Sequence, residues 1–373
     1  MRSTRHPVCL AAAVTVFVLG CGDPSAVDTG TGGDGAGGMG GSPAEPPAAP
    51  WPVTDFPELP DVAKDVPESR VWLGNLLFYD PILSVDHETA CATCHSEFWG
   101  MSDALPVGVG NGAGLLAGPG REGPNTLRRN SQTLFNLVFR ETLFWDGASQ
   151  NLEEQALMPL IAEDELNIAP AQAVTDLLGV PEYVERFEEA FPDDPRITEE
   201  NLAAALAAFQ RTMVSDRAVY DAYVGGDTAA MSEEQVDGMF RFAEMGCDSC
   251  HTPPLFESEA FYNRDVPGLD GIIDDGRAEV TGDPDDLRKF RVPTLRNSFD
   301  TDPYFHNGSA PKLKDAVRHE LEQSGMPFDE TDVERITIFI DKTLRDDSRT
   351  AIRPRSVPSG LPIPLDGPVF PGR

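Results

Sequence analysis

Apolar and polar positions along this chain follow the period of helices rather than of strands. Thr198, followed by Glu199 and Glu200, opens a run in which Leu202, Ala205, Leu206 and Phe209 fall on one face, which predicts an amphipathic helix capped at Thr198. Ser232-x-x-Gln235 and Thr331-x-x-Glu334 predict two further helix starts, because the side chains at the two ends of such a box satisfy each other's backbone N–H groups. No stretch sustains the two-residue alternation that a half-buried strand needs. Gly and Pro interrupt the helical pattern from Pro106 to Pro124 and from Pro253 to Pro293, which predicts long loops. The last 21 residues, 353–373, hold six prolines and predict an extended tail that either clasps the body or hangs free. The fold class is mainly α.

The first residues break this pattern. Arg2 and Arg5 precede an apolar run from Val8 to Leu19, too short to span a bilayer and typical of an export signal. Val18-Leu19-Gly20-Cys21 resembles a bacterial lipobox, so residues 1–20 are expected to be removed and Cys21 to carry a lipid. The chain is then held on the periplasmic side of a bacterial membrane. An ordinary secretory signal with an incidental cysteine is the alternative, and both place the chain outside the cytoplasm. Residues 21–55 are rich in Gly, Pro, Ala and Ser and read as a disordered tether.

Composition narrows the partners. The 373 residues carry 62 Asp and Glu against 29 Lys and Arg, a net charge of −33, which argues against nucleic acid or an anionic lipid surface as partner. A basic or neutral partner remains open, and solubility is the plainest meaning of the excess. The length suits about two domains.

Cysteine placement brings in the chemistry. Besides Cys9 in the signal and Cys21, the cysteines are Cys91, Cys94, Cys247 and Cys250, and each pair is followed directly by a histidine, His95 and His251. Two thiols one helical turn apart reach the two vinyl groups of a haem while the adjacent imidazole ligates its iron, so each C-x-x-C-H segment predicts one covalently bound haem c. A four-cysteine zinc site and two disulfides are the competing readings, and neither gives the two histidines a role.

The two haem segments also look like copies. A shift of 161 residues aligns Thr133-Leu134-Phe135-Asn136 with Thr294-Leu295-Arg296-Asn297, then Phe144 with Phe305, Gly147 with Gly308 and Leu152 with Leu313. The haem motifs are offset by 156, so one five-residue length difference lies upstream. Such repetition predicts two cytochrome c-like haem domains related by internal duplication, facing one another in a geometry suited to electron transfer.

Together these residues carry a family resemblance. Both C-x-x-C-H motifs, Arg129-Asn130-Ser131, Leu143-Phe144-Trp145-Asp146-Gly147, Leu152-Glu153-Glu154-Gln155, Val292-Pro293-Thr294-Leu295-Arg296-Asn297 and Pro303-Tyr304-Phe305-His306-Asn307-Gly308 resemble the bacterial di-haem cytochrome c peroxidase and MauG superfamily. The likeness covers about residues 55 to 345 and is greatest to the MbnH-type di-haem enzymes. It implies an N-terminal, peroxidatic haem domain over 56–225 and a C-terminal, electron-transfer domain over 226–350, with a Pro-rich tail over 351–373. It also implies that Gln155 and Glu165 stand above the first iron, with Trp145 between the haems. A carboxylate there can move a proton between the two oxygens of hydrogen peroxide, and Gln155 would orient the peroxide. A calcium ion is implied at Asn130 and the carbonyls of Thr301 and Pro303, an oxygen-only set that suits this cation. Arg129 and Arg296 are expected to meet haem propionates.

Two departures from the family shape the expected function. Many di-haem peroxidases cover the resting peroxidatic iron with a loop histidine, whereas the corresponding loop here, Val107 to Arg129, contains none. The first iron is then open to peroxide without reductive activation. At the second haem, where relatives carry methionine or tyrosine, the alignment arrives at Glu320, a hard carboxylate that favours ferric iron. His319, Met326, Tyr304 or an open site are the alternatives. The resemblance thus implies a MauG- or MbnH-like oxidoreductase: peroxide generates a high-valent di-haem state that oxidises a tryptophan or tyrosine of a periplasmic protein, one that binds copper in the MbnH-type case. The alternative is a cytochrome c peroxidase that reduces peroxide to water with electrons from a small cytochrome or cupredoxin. A pure electron carrier would need a second ligand on the first iron, and the sequence offers none there.

Overall fold

Thr198 does cap a helix: its side chain accepts from Asn201 N at 3.1 Å, and the helix runs Glu199–Gln210 with Leu202, Ala205, Leu206 and Phe209 buried. The computed structural model of the chain describes residues 47–269, 272–348 and 353–367. The expected signal over 1–20, the lipid-bearing Cys21 and most of the tether lie outside the described residues.

Among the described residues the helices are α1 (Glu68–Tyr79), α2 (Cys91–Cys94), α3 (Leu152–Ile161), α4 (Pro170–Leu178), α5 (Pro181–Ala190), α6 (Glu199–Gln210), α7 (Val219–Val224), α8 (Glu233–Glu244), α9 (Ala278–Thr281), α10 (Leu313–Ser324) and α11 (Glu330–Thr343). The strands are β1 (Leu116–Ala117), β2 (Phe261–Tyr262), β3 (Phe290–Arg291) and β4 (Leu365–Asp366), of two residues each. The protein is mainly helical. β1 pairs in parallel with β4, and β2 pairs antiparallel with β3. No described helix is long and apolar enough to cross a membrane.

The Ser232 box forms as drawn, with Gln235 Oε1 accepting from Ser232 N at 2.7 Å and Ser232 Oγ from Gln235 N at 3.3 Å. The box at Thr331 does not. α11 starts two residues earlier, where the Asp329 carboxylate accepts from Thr331 N and Asp332 N and Asp332 reaches back to Asp329 N. Aspartate is as good a cap as threonine, and here it precedes it.

Two hydrophobic cores are buried. The first joins residues between Leu73 and Met213 with Val357, around the crossing of α1 and α6. The second joins residues between Tyr220 and Leu344 around the crossing of α8 and α11, and it also takes Trp51. The tether expected over 21–55 therefore stops short of this residue. Trp51 is 8% exposed, donates from Nε1 to Tyr220 Oη at 2.8 Å and sits among Phe242, Phe256 and Phe339 at ring distances of 6.0–6.3 Å. A large aromatic ring in a Gly/Pro stretch finds its burial far along the chain.

Positions matched by the 161-residue shift adopt matched backbones. Asn136 and Asn297 have φ of 64° and 59°, Phe144 and Phe305 of 68° and 71°, and Gly147 and Gly308 of 72° and 64°. The Oδ1 atoms of Asn136 and Asn297 each accept a distant backbone N–H at 2.8 Å, from Ser215 and Asp346.

The tail clasps the body. Arg353 pairs with Glu97 at 2.7 Å and with Asp366 at 2.6 Å, and Asp366 also accepts from Ser96 Oγ at 3.0 Å. Ser359 donates to Asp80, and Val357 enters the first core with Leu361 and Ile363 against it. β4 lies along β1 through Leu365 N to Leu115 O and Gly367 N to Ala117 O. Residues 353–367 thus fasten the segment that follows His95 to the loop over 107–129. Arg353→Met should cost roughly 1–3 kcal/mol, the scale of a partly buried charged pair. Hydrogen exchange at the Leu365 and Gly367 amides should accelerate, and unchanged exchange would show that the ion pairs do not hold the tail.

Candidate functional site

Each C-x-x-C-H segment is built to present one imidazole. Cys91 and Cys94 stand at the ends of α2, and His95 Nδ1 lies 2.9 Å from Met101 O. His251, which follows the turn over Cys247–Ser249, has its Nδ1 3.2 Å from Phe256 O. A carbonyl at Nδ1 fixes the proton there and leaves Nε2 as the ligating atom. Burial lowers the pKa of both imidazoles, so each stays in the neutral form that binds a metal. All four thiols are free, which removes the disulfide reading.

Around Cys91–His95 the loop over 107–129 is held rigidly. Arg121 is 3% exposed and donates to the carbonyls of Val109 and Leu116 at 2.7 Å, to Gly110 O at 2.6 Å and to Gly114 O, with Thr89 Oγ1 at 3.2 Å. One guanidinium thereby satisfies carbonyls that a loop of this length would otherwise bury unpaired. Asn111 ties the loop to the turn after α3, with its N donating to Glu165 O at 2.8 Å and its Nδ2 to Glu163 O at 2.9 Å. The approach is so close that a Cβ on Gly110 would stand 1.8 Å from Asp164 O.

This turn brings Glu165 to the first haem segment. Burial raises the Cys91 and Cys94 thiols, and the Glu165 charge adds at both. Burial, with neighbouring Asp164 adding, pushes the Glu165 carboxyl up to about 7. Gln155, on α3, has a buried Oε1 without a hydrogen-bond partner among the described residues. Its carbonyl oxygen is available to a ligand.

The second segment opens on a cavity of about 400 Å³ lined by Cys247, Cys250 and His251, within the range of cofactor sites. Trp145, Asn130, Thr301 and Pro303 line it too. Trp145 donates from Nε1 to Asn130 O at 2.9 Å, and Asn130 N donates to His306 O at 2.7 Å. The His306 ring stacks on Phe290 at 3.6 Å and meets Trp145 edge-on at 6.4 Å. Burial pulls its pKa down to about 4. The loop over 253–293 supplies part of the wall through Tyr262, Arg264 and Phe290.

Of the residues weighed for the sixth position at the second haem, Glu320 and Tyr304 line this cavity. Arg264 Nε donates to the Glu320 carboxylate at 2.8 Å, and Tyr304 donates to Ser298 O at 2.9 Å. His319 Nε2 lies 2.8 Å from Arg264 O, and Met326 is 41% exposed.

The arginines expected at propionates are occupied. Arg129 gives Nη1 to Asp146 at 2.5 Å and Nε and Nη2 to Asp274 at 2.7 Å. Arg296 gives Nη1 and Nη2 to Asp221 at 2.8 and 2.6 Å and Nε to Pro254 O. Sequence reasoning missed Arg121 and Arg291, both almost fully buried. Arg291 carried no signal of its own: it follows Arg288 and Lys289 and precedes Arg296, and so reads as one member of a basic run.

The residues fit the haem that each motif implies: free thiols at helical spacing, neutral imidazoles fixed at Nδ1, and a cavity of suitable size at the second segment.

Comparison with known proteins agrees. A family model described as di-haem cytochrome c peroxidase matches residues 68–229. The chain is 36% identical over 282 residues to cytochrome c551 peroxidase of Pseudomonas aeruginosa, covering 74% of this chain and 78% of that protein. It is 34% identical over 262 residues to the methylamine utilization protein MauG of Methylorubrum extorquens, covering 69% and 70%. Its fold matches the crystal structure of a MauG-like protein associated with microbial copper homeostasis with a TM-score of 0.67 and 26% identity, over 80% of this chain and 96% of that one.

Proposed function

Since the chain belongs to the di-haem cytochrome c peroxidase family, which takes in MauG, and is thus a haem-dependent oxidoreductase acting with peroxide, we propose that it uses hydrogen peroxide to oxidise a tryptophan or tyrosine of a partner protein. The observation that carries this reading is the loop over 107–129: it holds no histidine, Arg121 and the tail hold it in place, and Asn111 ties it to the turn of Glu165. No imidazole is available there to cover the first iron, and the loop is not built to swing.

The bound haems supply redox-active iron that can take two oxidising equivalents from peroxide. Cys91 and Cys94 hold the first and Cys247 and Cys250 the second, with His95 and His251 as iron ligands. Glu165, with a carboxyl that titrates near 7, takes a proton from one peroxide oxygen and returns it to the other. Gln155 Oε1 accepts a hydrogen bond from the peroxide O–H. Trp145, fixed by its bond to Asn130 O, serves as the bridge between the two centres. Glu320, steadied by Arg264, is the proposed sixth ligand of the second. A calcium ion is proposed at Asn130, Thr301 and Pro303; Asn130 Nδ2 is spent on Leu105 O, which leaves Oδ1 for a cation. The matched φ angles and matched asparagine bonds of the two halves support the duplication of haem domains over 56–225 and 226–350.

The partner is proposed to be a periplasmic copper-binding protein, a reading supported by the likeness to a MauG-like protein associated with copper homeostasis. The enzyme would meet it from a lipid anchor at Cys21. The 36% identity to a cytochrome c551 peroxidase favours one second reading, in which a small cytochrome or cupredoxin supplies electrons for the reduction of peroxide to water.

Mixing the diferric protein with one equivalent of peroxide and no reductant separates them. Stopped-flow absorbance and electron paramagnetic resonance should show both haems oxidised within the mixing time. If nothing reacts until an electron is supplied, the first iron is covered after all and the cytochrome c peroxidase reading replaces this one.

A further inference from the structure

The cavity at the second C-x-x-C-H segment is cationic in a chain of net charge −33. Arg140, Arg264, Arg288 and Arg291 line it, against a single lining carboxylate, Glu320. Two of these cations are neutralised in place. Arg264 pairs with Glu320 at 2.8 Å, and Arg140 pairs with Glu257 at 2.6 Å. Arg288 is exposed and gives Nη2 to Val266 O at 3.3 Å.

Arg291 differs from all of them. It is 1% exposed, its main chain is fixed by N donating to Trp145 O at 2.8 Å, and its Nε reaches Phe144 O at 3.3 Å. Both Nη atoms are buried without a partner among the described residues. Burial, with Arg140 adding, pulls its pKa down to about 9. A guanidinium has five N–H donors in a planar fork suited to a carboxylate, and a buried charge left unpaired is among the most unfavourable arrangements a fold can hold. Two unsatisfied donors on a residue that lines a cofactor-sized cavity call for an anion supplied by what fills it.

We infer that Arg291 binds a carboxylate of the cofactor in this cavity, a tetrapyrrole propionate, and thereby sets the reduction potential of the second haem. The inference rests on the haem reading above. Arg129 and Arg296 do not line this cavity, and all three guanidinium nitrogens of each are engaged by carboxylates or a carbonyl. A cation held at the haem edge opposes the ferric state, which carries one more positive charge than the ferrous state. Loss of that cation leaves the carboxylate uncompensated and favours ferric iron.

The test is a mediated redox titration of the purified holoprotein and of Arg291→Gln and Arg291→Lys, with haem counted per chain and folding followed by circular dichroism. Arg291→Gln should keep both haems attached and shift the ferric-to-ferrous equilibrium of the second haem at least about tenfold toward ferric, about 59 mV for a one-electron couple. The first haem should not move, and Arg291→Lys should restore most of the shift. An unchanged second potential in a folded, two-haem Arg291→Gln protein overturns the inference while leaving the haem reading intact. Wild-type protein without haem at Cys247 and Cys250 overturns both. If neither variant folds, the propionate-bending band in the resonance Raman spectrum of the wild-type second haem decides: a hydrogen-bonded propionate supports the assignment, and a free one overturns it.

Discussion

Glu165→Gln is expected to slow peroxide turnover by about 10²–10⁴-fold, the usual worth of a positioned proton-transfer group, while both haems remain attached. The wild-type rate should rise as pH passes about 7, where burial has placed the carboxyl, and the residual rate of the variant should lose that dependence. Stability should move the other way. The folded-state pKa lies above the ordinary 4.5, so the proton favours the folded state below about 4.5, and that contribution is lost as pH rises through 7. At pH 8 the wild-type protein carries a buried charge that the glutamine variant lacks, and the variant should be the more stable of the two by up to roughly 3 kcal/mol. Chemical denaturation at pH 5 and pH 8 checks this. A Gln variant that is slower and also less stable at pH 8 would assign Glu165 a structural role instead.

The second large effect concerns the two helix crossings. A Cβ on Gly74 of α1 would stand 1.9 Å from Ala205 O of α6, and one on Gly238 of α8 would stand 2.2 Å from Arg335 O of α11. Glycine in a helix interior ordinarily costs about 1 kcal/mol relative to alanine, so Gly→Ala usually stabilises. Here the obstacle in each case is backbone, which can yield only by separating the helices. Gly74→Ala and Gly238→Ala should each destabilise by roughly 1–3 kcal/mol, the range of an overpacked core. Because the two sites lie in separate cores, the losses should add in the double variant to within about 0.5 kcal/mol. A rise in thermal midpoint for either single variant would refute the close crossing.

How much of this was legible in the sequence depended on the range of the interaction. The Ser232 box, the Thr198 cap and the two haem-attachment segments involve residues within one or two turns, and their chemistry is visible as spacing. Asp329 was passed over because a hydroxyl box began two residues later, and local pattern alone does not rank two good caps side by side. Arg129 and Arg296 looked free because their carboxylates, Asp274 and Asp221, lie 145 and 75 residues away. The same distance hid Arg291, whose meaning depends on which neighbours fail to reach it. Trp51 was assigned to the tether by the composition around it, although a single indole can find a core regardless of its flanks. Arg121 was invisible for another reason: the carbonyls it gathers are all within its own loop, but only the folded loop makes them converge.

The tail fastens what was made long before it. Arg353 holds Glu97 across 256 residues, and Asp366 holds Ser96 across 270. The Cys91–His95 segment is therefore made well before its clasp, and it stays unclasped and accessible to whatever attaches its cofactor until residues 353–367 follow. Order of translation then becomes order of assembly: loading of the first centre can precede its closure. A chain halted after α11 would carry every residue of the chemistry and still lack its fastening.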